Sequence, residues 1–145
     1  MVEEALCYGW VDSVPGKVSD TQAKIYVSRR KPKSSWSKVN KQRIEKLLHA
    51  GTMSDAGIAA VNSAKQNGSW DALNKSDAFE MPEELNRLLM SNTKARLFYD
   101  AMAPSSHKII LEWIYAAKTE DTKMKRIVET VELASQGIKA HHYRQ

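Results

Sequence analysis

One cysteine, Cys7, stands among the 145 residues. A lone thiol closes no internal disulfide, which fits a reducing compartment. Long apolar runs are missing as well, since none approaches the roughly 20 residues that a bilayer span requires. The opening MVEEALCYGW has acids where an export signal has bases, so no leader is read there and the cytoplasm is the expected location. No HExxH, CxxC, GxSxG or glycine-rich phosphate loop occurs. Of the four histidines, only His141 and His142 are adjacent, and two ligands near a chain end make a poor metal site. Cys7 has no histidine near it in sequence to lower its pKa and reads as a structural thiol. No catalytic residue, metal or cofactor is therefore assigned. The sequence leans away from an enzyme, and Asp12 is the one general-base candidate close to the feature described next.

That feature is a run of positive charge. Residues 29–50 hold eight bases (Arg29, Arg30, Lys31, Lys33, Lys38, Lys41, Arg43 and Lys46) against one acid, Glu45. The segment before them is net negative and the segment after them is balanced, so the +5 of the whole chain is local. Lysine and arginine meet phosphates or carboxylates, and an interleaved Trp36 could stack on a base or ring. The plainer alternative is a solvated basic loop and helix face with Trp36 packed inward as an anchor. The candidate partner-binding residues are Trp10, Asp12, Arg29, Arg30, Lys31, Trp36, Lys38 and Asn40.

Hydrophobic content of 42% and charged content of 27% are globular values, and the length suits one domain over residues 1–145. Within it, residues 1–30 are read as a helix end and a small sheet, 31–140 as a helical part and 141–145 as a frayed tail. Val2 to Cys7 suits a helix ended by Gly9, and Trp10 to Ser13 a short strand. Pro15-Gly16 marks a turn, and Ala23 to Ser28 reads as the best strand of the chain. Helices follow. Ser35 or Ser37 caps one that buries Val39, Ile44, Leu47 and Leu48 and stops at Gly51. Ser54 caps the next, which carries Ile58, Ala59, Val61 and Ala64 inward and ends near Gly68. Trp70 to Phe79 reads as a loop. Further helices start at Pro82, at Asn92 (with Leu97, Phe98, Ala101 and Met102 inward), at Ser105 or Ser106, and at Thr119 or Thr122. The fold class is α+β, mostly helical, with a small antiparallel sheet first and a multi-helix layer after it.

Three strings, EEALCYGWVDS (Glu3 to Ser13), the stretch from Lys31 to Leu73 and the stretch from Phe98 to Gly137, resemble in order and spacing the YdeI/OmpD-associated or bacteriocin-protection family. The carrying motifs are Cys7-Tyr8-Gly9-Trp10-Val11-Asp12, Trp36-Ser37-Lys38-Val39-Asn40, Leu111-Glu112-Trp113-Ile114 and Lys118 to Arg126. The resemblance implies a further strand and helix start upstream, so the chain is expected to be short at its N-terminus. It also implies a non-enzymatic binding or stress-protection role, with the basic Trp-containing surface as the working face. A nucleic-acid-binding protein using the same surface is the alternative. A protein partner or anionic ligand fits that face, and an open sheet edge leaves room for a homodimer.

Overall fold

The computed structural model describes residues 1–142, and among them the chain is mostly helical α+β, as expected. It divides into two compact units, Met1–Leu73 and Asn74–Gln145. Each has its own apolar core.

The first unit opens with α1 (Val2–Cys7), which buries Leu6 and Cys7. Then come β1 (Trp10–Asp12), β2 (Gly16–Lys17), β3 (Ala23–Lys24) and β4 (Val27–Arg29). The single strand expected over Ala23 to Ser28 is thus two short ones. β1 pairs with β4, Trp10 opposite Arg29 and Asp12 opposite Val27, while β2 pairs with β3, Gly16 opposite Lys24. The Ser13 N–H still reaches the Tyr26 carbonyl at 2.9 Å, so one antiparallel hairpin runs throughout. Its register slips by one residue midway, where Val14 and Pro15 stand opposite Ile25 alone. Pro15 supplies no N–H to the ladder, and a two-against-one bulge is the form that loss takes in an antiparallel pair.

α2 (Lys38–His49) starts at Ser37, whose hydroxyl accepts from the Asn40 N–H at 3.3 Å. Of the four residues expected to be buried on it, Ile44 is fully inside and Leu47 partly so, whereas Val39 and Leu48 face solvent. α3 (Asp55–Gln66) is capped by Ser54 and buries Gly57, Val61 and Ala64; Ile58 and Ala59 are exposed. Gly57 is where α3 meets the end of α1. A β-carbon there would lie 2.1 Å from the Cys7 carbonyl oxygen. That oxygen accepts twice from Ser54, from N–H at 3.1 Å and from the hydroxyl at 2.6 Å. Leu6, Trp36, Ile44, Val61 and Ala64 form the core of the unit.

The second unit contains α4 (Asn74–Asp77), inside the segment expected to be a loop, and α5 (Glu83–Met90), α6 (Thr93–Asp100), α7 (Pro104–Tyr115) and α8 (Glu120–Ser135). Asn92 and Thr119 cap α6 and α8 through their side chains. Pro104 is the first residue of α7 and Ala103 its cap, in place of the serines that follow, because proline suits a position whose N–H has no helical partner. The inward face of α6 is Ala95 and Tyr99, with Met102 just beyond; Leu97 is 67% exposed. α7 buries Ile110, Leu111 and Ile114, with Trp113 half-buried beside them. Past α8, His141 lies flat on Trp113, ring centres 4.9 Å apart. Of the tail read as frayed, residues 143–145 lie outside the described residues.

Candidate basic face

The chain reaches the basic segment from β4. The Arg30 N–H bonds the Gly9 carbonyl at 3.1 Å, extending the hairpin one residue beyond its last pair. Proline at 32 then forces an extended approach, and a turn closes as the Ser34 N–H and hydroxyl both donate to the Lys31 carbonyl, at 3.0 and 2.8 Å. This turn delivers Trp36 into the core at 1% exposure.

Arg30 covers it. The guanidinium carbon lies 3.8 Å from the Trp36 ring centre, and one terminal nitrogen donates to the Ser35 carbonyl at 2.9 Å and the Ser34 hydroxyl at 3.4 Å. The Arg30 Nε is buried with no partner among the described residues. Burial lowers the Arg30 pKa from its ordinary value, while the negative charge of Asp12 opposes the shift. Arg30 is therefore a structural lid as well as a charge. Trp36 holds the anchor position and offers no free ring face.

The other expected residues separate around this centre. Arg29, Lys31 and Lys38 are exposed, together with Lys33 and Lys46. Among the described residues, no carboxylate forms a salt bridge with any of these five. Asn40 is engaged locally, its side-chain oxygen accepting from Arg43 at 3.1 Å. Trp10, 37% exposed, belongs elsewhere. With Glu4, Ala5, Tyr8 and Val27 it lines an open groove of about 480 Å³ between α1 and the hairpin. Asp12 acts on the face through its charge on Arg30.

Trp70 was not among the expected residues. Its ring centre is 5.1 Å from that of Trp36 at a tilt of 47°, and the ammonium groups of Lys41 and Lys65 stand over it at 5.6 and 5.2 Å. Lys41 also holds Asp71 at 3.7 Å. The signal that could have found it is Gly68. At φ +80° this glycine ends α3 in a left-handed turn, and the Trp70 N–H returns to the Ala64 carbonyl at 3.0 Å, laying the indole back along the helix.

Among the described residues no group of three or more histidine, cysteine or acidic side chains could hold a metal ion, and no helix is long and apolar enough to cross a membrane. The molecule is thus a mostly helical α+β protein whose first unit presents a basic face over a buried tryptophan. Residues 78–137 match the family described as Bacteriocin-protection, YdeI or OmpD-Associated. Residues 1–60 match a different family, a domain of unknown function (DUF8412), and the whole of the basic face lies outside the segment that carries the first name. Comparison with curated proteins and with solved structures gave no match in either case.

Proposed function

We propose that this is a binding protein with a protective or stress-related role of the kind its family's name describes, and that its first unit takes an anionic partner on the basic face. One observation carries the reading. Residues 29–50 hold a net charge of +7, and five of their cations (Arg29, Lys31, Lys33, Lys38 and Lys46) are exposed and have no salt bridge among the described residues. Like charges held together on one folded surface repel each other, and an anionic partner relieves that repulsion while releasing its own counterions.

Inorganic polyphosphate is a suitable probe, because it offers closely spaced phosphates and nothing else. Binding is expected at low salt and should weaken steeply as salt rises. Replacing Lys31, Lys33 and Lys38 by Gln should weaken it and flatten the salt dependence, because fewer contacts release fewer ions. These side chains are exposed, so melting should be unchanged. Equal affinity in the triple variant and the wild type would refute the assignment.

A further inference from the structure

Trp70 and its two lysines are more rigidly held than a loop position suggests. The Asn67 side-chain nitrogen donates to the Pro32 carbonyl at 2.7 Å, and its oxygen accepts from the Ser69 N–H at 2.9 Å. The Ser69 hydroxyl donates to the same Pro32 carbonyl at 3.2 Å. The turn carrying Trp70 is thereby tied to the turn carrying Trp36. The half-buried indole rests on a fully buried one, with an ammonium group from α2 and another from α3 within 6 Å of its centre.

This alternation of cation, flat ring and cation matches a nucleotide strand, which alternates phosphate, base and phosphate. The ammonium groups stand over the indole, so a base would stack on the ring face that a lysine gives up as it moves from the ring to a phosphate. Lys65, exposed on a long stem, can swing from the ring to a phosphate beside that base, while Lys41, largely buried against Asp71, can meet the phosphate on the other side where it stands. A polymer carrying only phosphates would use the lysines and leave the ring idle. Double-stranded DNA hides the faces of its bases within its own stack, so it too would offer phosphates alone.

Resting on the anion-binding reading above, we infer that Trp70, flanked by Lys41 and Lys65, is a base-stacking platform and that the anionic partner is a single-stranded nucleic acid. Asp71 tempers it, because its carboxylate competes with phosphate for Lys41.

The test measures affinity of the full chain for a short oligothymidylate, for its duplex with oligoadenylate and for inorganic polyphosphate, all at the same low salt. The single strand should bind more tightly than the other two. Trp70→Leu should weaken single-strand binding by about 5- to 150-fold, the range for one stacked base, and leave polyphosphate binding unchanged. Trp70→Phe keeps a ring over Trp36 and should retain most of the preference, which guards against a Leu variant that fails to fold. Asp71→Asn should tighten binding of all three. Equal binding of all three ligands, with Trp70→Phe and Trp70→Leu both neutral, would overturn the platform and leave the anionic face standing. No binding of any of them at low salt would overturn both.

Discussion

Replacing Tyr99 by Phe should leave the second unit as stable as before or make it more so. Tyr99 is 2% exposed in the core on α6, and its hydroxyl is buried with no partner among the described residues. A hydroxyl buried in that way costs about 1–3 kcal/mol relative to a bonded one. Phenylalanine removes that cost and keeps the other contacts. The His107 ring, stacked at 4.6 Å, still finds an aromatic face. The 2.6 Å bond from His107 Nε2 goes to the backbone carbonyl of residue 99, which requires Nε2 to carry the proton and is indifferent to the side chain. A gain of about 1 kcal/mol at neutral pH is expected from the hydroxyl's removal, read by urea unfolding followed by circular dichroism.

The alkaline limb makes the test sharper. Burial, with the nearby Asp100 charge adding to it, pushes the Tyr99 hydroxyl up to about 12. In the unfolded chain it titrates near 10. Below that value both states hold the proton and stability has no slope from this group. Between the two values the folded state binds a proton that the unfolded state has lost, so stability falls as pH rises. A hydroxyl that titrates so much higher when folded gives up about 3 kcal/mol by the top of that window. The wild type should show this extra alkaline loss and Tyr99→Phe should lack it. A variant less stable by more than about 1 kcal/mol at neutral pH, or one with the same alkaline loss as the wild type, would refute the unpaired hydroxyl.

Trp36→Ala should cost roughly 3–5 kcal/mol in urea unfolding, because it empties the core under Arg30 and Trp70; a loss below about 1 kcal/mol would mean that the ring is a surface contact after all. Gly57→Ala should destabilise by about 2 kcal/mol or more, since the new methyl meets the Cys7 carbonyl oxygen at 2.1 Å. Gly51→Ala is its control. Its β-carbon meets nothing within 4 Å, so only the backbone strain of φ +66°, about 1–2 kcal/mol, should register. Equal losses at the two glycines would mean that α1 does not press on α3.

Helix starts were legible because capping is local chemistry. Ser37, Ser54, Asn92 and Thr119 each accept an N–H three residues ahead, and the side chain that does so is visible in the sequence. Which face a helix turns inward is not local. α6 can be drawn with Leu97 inside, yet the surrounding helices take Ala95 and Tyr99 instead. The strand over Ala23 to Ser28 failed for a similar reason. Its own residues suit a continuous strand, and the break is imposed from across the hairpin by Pro15. In the candidate site the charges could be read directly, whereas the depth of Trp36 could not. Its neighbours on both sides are polar, and only Leu6, Ile44 and Trp70, distant in sequence, decide it. The resemblance drawn over nearly the whole chain is carried, in the family comparison, by residues 78–137.

The two hydrogen bonds from Ser54 to the Cys7 carbonyl bear on the order of assembly. α1 has six residues, too few for a helix to persist in water unaided. Besides the hairpin and α2, what holds it is a group 47 positions further on, Ser54, whose hydroxyl donates to the Cys7 carbonyl while it accepts from the Gly57 N–H to cap α3. α1 leaves the ribosome before α3 exists. The hairpin and α2 can cover its leucine first, and the bonds to its last carbonyl follow when α3 has been made. One serine hydroxyl thus closes the end of α1 and opens α3, so fraying at the start of α3 also loosens the end of α1.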